Sequence, residues 1–285
     1  LGGYVAEVLG GDIRRRGEAT LAGDEHGTRD EKHAWRLMRA YDTWFGDGAE
    51  RSLLRVMGLF DRPAPAGCVA ALRAKPAIPG VTEGLVGLSE KEYRRALARL
   101  RDAGLLSRDD DGGVLDAHPL VRECFGALLA RESRGFQAAH GRLFDHLCKS
   151  TERLPDTLEA MQPLYQAVWH GCQARRRREA LYDVFSARID RGNEHYSVNK
   201  LGASAADLGA LAGFFDGGWL RPAAELPDAA RAWLLGEAGF ALRALGRLAE
   251  AIEPMRAGLE MRVAAEDWKN AAIAAGNLAQ MQAAA

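Results

Sequence analysis

The sequence lacks the short motifs of several enzyme classes. It contains no GxxxxGK[S/T] phosphate-binding loop, no HExxH zinc motif and no GxSxG nucleophile motif. No CxxC pair occurs among its four cysteines, so the spacing typical of a structural zinc site is also missing. We therefore predict no catalytic residues and no metal ligands, and we expect that this chain alone neither binds ATP tightly nor hydrolyses it.

Long apolar runs and a strong net charge are missing as well. No run reaches the roughly 18 apolar residues of a membrane span, and no signal segment stands at the start. The formal net charge of −1 gives no electrostatic argument for a nucleic-acid or membrane partner. Scattered single cysteines are typical of reduced thiols. These features together predict a cytoplasmic protein without a membrane partner.

What the sequence does contain favours helix. Leucine and alanine outnumber the β-branched residues that sheets prefer. The 285 residues are enough for two domains at roughly 100–200 residues each. The chain begins at Leu1, inside a helix-like pattern and without a methionine, so we expect it to be part of a longer protein. The predicted fold class is mainly α.

Residues 30–131 have the element order of a winged helix. Three short helices are predicted, in "GAERSLLRVMGLF", "AGCVAALRA" and "LSEKEYRRALARLRDAGLL". The third has Ser89 as its N-cap with Glu92 three residues later, a capping-box pattern, and Gly104 at its end. The stretch "LLSRDDDGGVLDAH" then indicates a strand, a turn and a second strand. We interpret this region as a winged-helix domain.

Residues 132–285 are predicted to form helical hairpins joined by short breaks. In "GFALRALGRLAEAIEPM", Gly239 and Ala251 are small residues where two helices would approach closely, and Gly246 would form the turn between them. This resembles the tetratricopeptide pattern, a helical hairpin repeated near 34 residues. Gly276 is the expected equivalent of Gly239 in the next hairpin. The prediction is a tetratricopeptide-like superhelix.

The order of these parts resembles the C-terminal portion of bacterial STAND-class signalling ATPases of the NB-ARC and NACHT-like kind. "GGYVAEVLGGDIRRR" resembles the end of the helical lid subdomain, here residues 1–29 with a linker. "ERSLLRVMGLFDRPAP" resembles the first winged-helix segment. The resemblance implies a missing N-terminal nucleotide-binding domain, ATP or ADP as the cofactor of the full-length parent but none in this fragment, and helical repeats that recognise a ligand or protein.

"LDAHPLVRECF" resembles the position of the Met-His-Asp-type motif of that family. The resemblance implies that His118 contacts the diphosphate of bound ADP in the full-length parent. Ala117 stands where the family has methionine and Pro119 where it has aspartate. A second interpretation is structural, because a histidine before Pro119 would be the cap of the following helix. Both interpretations are compatible with the sequence.

The loop "RGNEHYSVNKLG", residues 191–202, is unusually polar for a connection between repeats. It is a candidate contact with a ligand or partner, through Asn193, Glu194, His195 and Tyr196. The alternative is an ordinary structured loop.

Two other functions compete with the regulatory one. In a DNA-binding winged helix, the third helix would present Lys91, Arg94, Arg95, Arg99 and Arg101 to the phosphates. Asp109–Asp111 in the predicted turn would be repelled by DNA, which argues against a nucleic-acid partner. The third possibility, an enzyme of unknown type, has no support beyond a possible pocket.

Overall fold

The computed structural model describes residues 29–108 and 114–284. These residues are mainly helical, which confirms the predicted fold class. They form two compact units that divide between Leu143 and Phe144. The predicted lid segment up to residue 28 and the turn at Asp109–Asp111 lie outside the described residues.

The first unit begins with helices and continues with a β-hairpin. Its elements are α1 Arg29–Trp44, α2 Ala49–Met57, α3 Ala66–Arg73, α4 Glu90–Asp102, β1 Leu106–Arg108, β2 Leu115–Ala117 and α5 Pro119–Arg131. Helix α6, Ser133–Ser150, contains the point of division. The two strands pair antiparallel, with Leu106 opposite Ala117 and Arg108 opposite Leu115. Ala64 adds an isolated antiparallel bridge to Leu115.

The core of this unit forms where α2 crosses α5. Leu53, Leu54 and Met57 of α2 are fully buried, as their spacing predicts. The two helices approach closely at Gly58 and Gly126. A Cβ atom on Gly58 would lie 2.4 Å from the Gly126 backbone nitrogen, so only glycine permits this approach.

The predicted ends of α4 are confirmed. The Ser89 hydroxyl accepts a hydrogen bond from the Glu92 amide at 3.3 Å, and the Glu92 carboxylate accepts one from the Ser89 amide at 2.9 Å. Together these bonds form the capping box, which satisfies two amides that have no partner in the helix. Gly104 follows the helix with a φ of +69°, the left-handed conformation that glycine adopts without strain.

A network of ion pairs connects α1, α2 and the end of α5. Arg55, only 4% exposed, donates to Asp42 at 3.1 Å and to both Glu132 oxygens at 3.0 Å each. Its guanidinium also donates to the Gly80 carbonyl. Arg51 donates to the same Asp42 carboxylate at 2.9 Å. Burial alone would raise the pKa of Asp42, but the hydrogen bonds from both arginines outweigh it and lower that pKa.

The second unit consists of paired helices with one irregular stretch. Its elements are α7 Leu158–Gln173, α8 Arg177–Glu179, a π-helix Ala180–Asp190, a 3-10 turn Gly192–Glu194, α9 Tyr196–Asn199, α10 Ser204–Leu211, a 3-10 turn Ala212–Phe214, α11 Asp228–Ala244, α12 Leu248–Ala264 and α13 Trp268–Ala284. The sequence predicts a regular helix where the π-helix occurs. The π-helix differs in that its hydrogen bonds span five residues instead of four.

Helices α11 and α12 pack together through small residues. A Cβ on Gly239 would lie 3.1 Å from the Ala251 carbonyl oxygen, which confirms the predicted close approach. Gly246 turns the chain between the helices with a φ of +75°. A Cβ on Gly276 would have no atom of the described residues within 4 Å. Gly239 packs on the helix that follows its own, and no such helix is described after α13, so the role expected of Gly276 stays a prediction.

Two further findings concern the described residues as a whole. None of their helices combines the length and the apolar character needed to cross a membrane. All four cysteines are free thiols, and Cys68, Cys124 and Cys172 are buried.

We expect Arg55→Ala to destabilise the protein by about 3 kcal/mol. The half-buried Asp42 carboxylate would lose its ion pair with Arg55, which is the more buried of its two arginine partners. The measurement is urea denaturation followed by circular dichroism. Arg94→Ala is the matched control, since its pair with Glu90 is exposed and should change stability by no more than about 0.5 kcal/mol. Equal denaturation curves for the two variants would contradict this role of Arg55.

Candidate functional site

His118 stands at the junction between β2 and α5. Its Nδ1 accepts a hydrogen bond of 3.2 Å from the Leu120 amide, so the side chain is the N-cap of α5. Pro119 occupies the first position of the helix, where the missing N–H has no consequence. The structure thus supports the capping interpretation of His118.

His118 is nevertheless exposed to solvent. A neutral imidazole that accepts through Nδ1 carries its hydrogen on Nε2. The ring therefore combines a fixed orientation with a second nitrogen that is a donor. Capping and contact with an anion are compatible, because they use different nitrogen atoms.

The polar loop after the π-helix has an unusual backbone. Arg191 and His195 adopt left-handed conformations, with φ of +60° and +43°. Non-glycine residues rarely adopt such values, and strained positions of this kind are concentrated at functional sites. Asn193 lies between them, in the 3-10 turn Gly192–Glu194.

The four predicted contact residues of this loop have different positions. His195 faces a cavity, and its Nδ1 lies 3.0 Å from the Asp190 carboxylate. Glu194 is exposed, and its carbonyl accepts a hydrogen bond from Asn199. Tyr196 donates to Asp156 at 3.2 Å and stacks under the Arg191 guanidinium at 3.5 Å. Glu194 and Tyr196 thus support the loop, whereas His195 contributes to the cavity.

The cavity lies within the second unit and has a volume of about 490 Å³. That size is within the range of small-molecule sites, roughly 300–1,000 Å³. The π-helix and the polar loop supply one wall, and α11, α12 and α13 supply the others. Its lining combines carboxylates, cations, amides and aromatic rings, mainly Asp190, His195, Trp233, Glu237, Phe240, Arg262, Lys269, Asn270 and Asn277.

Helix α11 places three of these side chains on one face. Trp233, Glu237 and Phe240 are four and three residues apart, the spacing that aligns side chains along a helix. The Trp233 ring is held by an edge-to-face contact with Phe185 at 6.1 Å. Gly236 lies beside the Arg262 guanidinium, because a Cβ added to this glycine would be only 3.1 Å from an arginine nitrogen. Glu237 is thereby brought near Arg262 without a direct ion pair among the described residues.

Glu237 is the most perturbed carboxyl group of the cavity. Burial is the main cause, and together with the neighbouring Asp190 it raises the pKa of Glu237 to about 7. His195 and Arg262 act in the opposite direction but compensate only in part. Burial likewise raises the pKa of Asp190, against the opposing effect of His195.

A second buried carboxylate lies close to this group. Asp207 accepts hydrogen bonds from the Tyr165 hydroxyl at 2.6 Å and the Ser197 hydroxyl at 2.8 Å. Burial raises the pKa of Asp207 in spite of these bonds. Its charge contributes to the raised pKa values of both Asp190 and Glu237. The cavity lining thus contains two carboxylates, Asp190 and Glu237, and Asp207 is a third buried carboxylate near them.

Sequence reasoning missed Asp190, Trp233, Glu237 and Arg262. One signal for Glu237 was available, since it is the only charged residue between Ala232 and Leu242 in a mostly buried helix. No comparable signal marks Asp190, whose contact with His195 depends on the backbone of the loop. Within the described residues, no group of three potential ligands is placed to hold a metal ion.

We expect Glu237 to make stability depend on pH. Its pKa is higher in the folded than in the unfolded chain, so its contribution is present at low pH and is lost as pH rises through about 7. The melting temperature of Glu237→Gln should therefore fall less than that of the wild type when the pH is raised from about 5 to about 8. Thermal melting at both pH values measures this, with Glu260→Gln, an exposed change on α12, as the control. A Glu237→Gln curve parallel to the wild type would contradict it.

No model of a protein family matches this chain. No curated protein and no solved structure matches it either. The function therefore has to be argued from the residues of the chain and their geometry.

Proposed function

We propose that the chain is the regulatory and sensor part of a STAND-class signalling NTPase. In this proposal, a winged-helix domain packs on a nucleotide-binding core that precedes the chain and holds it in the resting state. The tetratricopeptide-like helices bind the ligand or partner that releases this core. The observation that carries the proposal is the exposed His118 at the N-terminus of α5, directly after a β-hairpin.

The first unit supports the winged-helix assignment through its element order. Three short helices, α2 to α4, precede the β1–β2 hairpin, and Ala64 bridges to β2 as a third strand would. The second unit supports the repeat assignment through the close antiparallel pairing of α11 and α12 and the glycine turn between them. Both assignments remain part of the proposal.

The geometry at His118 suits a phosphate group. The start of a helix carries a partial positive charge, which favours an anion. The first amides of α5 are already engaged, because the Leu120 amide donates to the His118 ring and the Val121 amide to the His118 carbonyl. The donor available to a phosphate is therefore the imidazole Nε2–H. Without a P-loop in this chain, the lysine and hydroxyl that bind phosphates and magnesium would come from the core. The role of His118 would be to sense the nucleotide, while catalysis would belong to the core.

We expect His118→Asn to weaken ADP binding by the full-length protein about tenfold, because one hydrogen bond to a phosphate oxygen is lost. Asparagine keeps the N-cap of α5, so thermal stability should change little. Calorimetric titration with ADP measures the effect, and Glu123→Gln on the same helix is the control. The isolated chain should show no magnesium-dependent ATP turnover. Turnover by the chain, or unchanged ADP affinity of His118→Asn, would overturn the proposal.

A DNA-binding regulator is the second candidate, favoured by the exposed basic face of α4. Lys91, Arg95 and Arg101 are exposed on that helix. Two further arginines are engaged within the unit: Arg94 pairs with Glu90 and Arg99 with Glu50, each at 3.0 Å. These pairs reduce the positive charge available for phosphates.

We expect the chain to show no duplex affinity beyond weak non-specific binding, because ion pairs neutralise part of the α4 face. Fluorescence anisotropy with labelled duplexes at several salt concentrations tests this. The double variant Arg94→Ala/Arg95→Ala should then behave like the wild type. A steep salt dependence that the double variant abolishes would favour the DNA-binding function instead.

A further inference from the structure

The carboxylates of the cavity in the second unit are unequally compensated. Asp190 has a direct partner in His195 at 3.0 Å. Glu237 is half-buried in the cavity wall, and no described residue forms a hydrogen bond or ion pair with it. A half-buried carboxylate without a partner is unfavourable, because it has lost part of its hydration and gained no bond in return. It would be stabilised by a cation that enters the cavity.

A further acid lies near the two cations of the cavity. Asp267, at the start of α13, accepts a hydrogen bond from the Asn270 side chain at 2.8 Å. That bond, with the charges of Arg262 and Lys269, lowers the pKa of Asp267. Arg262 and Lys269 also line the cavity, but neither forms an ion pair with Glu237 among the described residues. The charges of Asp190 and Asp207 act with burial against the ionised form of Glu237. Glu237 therefore lacks a direct cationic partner in the cavity.

Aromatic rings flank Glu237 on both sides along α11. Trp233 lies about one turn before it and Phe240 about one turn after it, and both line the cavity. Phe240 is 39% exposed, so its ring is available to a ligand. The faces of aromatic rings attract cations and pack against apolar groups.

We propose that this cavity binds an organic amine, with its ammonium or guanidinium group at Glu237 and its apolar or aromatic body against Trp233 and Phe240. The volume of about 490 Å³ accommodates a small molecule of this class. That the amine is the signal detected by the sensor rests on the proposed function. That the cavity binds an amine rests on the residues of the cavity alone.

The experiment uses three probes of nearly equal shape and different charge. Phenethylamine is a cation, 2-phenylethanol is neutral and phenylacetate is an anion. Calorimetric titration at about pH 8, where Glu237 is mostly ionised, should give an affinity for phenethylamine at least about tenfold higher than for either analogue. Equal affinities, or a preference for phenylacetate, would overturn the proposal.

Two variants assign the preference to its residue. Glu237→Gln removes the charge and keeps the shape, so it should abolish the preference for the amine. Glu260→Gln removes an exposed charge on α12 and should retain the preference. Thermal melting verifies that Glu237→Gln is folded at the same pH. If this folded variant still prefers the amine, Glu237 is not the site.

The outcomes also separate this inference from the proposed function. If His118→Asn weakens ADP binding but the cavity shows no preference for the amine, the proposed function is supported and the amine as ligand class is rejected. If the amine preference depends on Glu237 but His118→Asn leaves the ADP affinity unchanged, the binding site is supported and the proposed function is rejected.

Discussion

The close approach of α11 and α12 is the constraint on which the second unit depends. A Cβ on Gly239 would lie 3.1 Å from the Ala251 oxygen, and one on Gly258 would lie 3.1 Å from the Ala232 oxygen. A larger side chain at either glycine would push the helices apart. Because Glu237 is on α11 and Arg262 is on α12, this close approach also fixes the positions of two cavity walls relative to each other. Helix packing and the proposed binding site thus depend on the same small residues.

Local features of the fold were predictable because local residues cause them. The capping box at Ser89 and Glu92 needs only residues of one helix turn. The turn at Gly246 needs a residue that tolerates positive φ, and the sequence supplies one. The apolar spacing of Leu53, Leu54 and Met57 predicts a buried helix face, and all three are buried.

The cavity was not predictable, because its residues come from distant parts of the chain. Asp190 meets His195 only through a loop in which Arg191 and His195 adopt left-handed conformations. Propensity assigns such conformations to glycine or asparagine, so the backbone path could not be read from these residues. Of the four predicted loop residues, His195 contributes to the cavity and Tyr196 does not, since its hydroxyl is bound to Asp156.

The cap at His118 has a consequence for recognition in general. A free histidine side chain samples several rotamers, and a partner that needs one of them must offset the entropy of the others. Here the bond to the Leu120 amide selects one rotamer during folding. The imidazole is therefore partly preorganised, so a contact made through its Nε2 would lose less rotamer entropy than one made by an uncapped histidine.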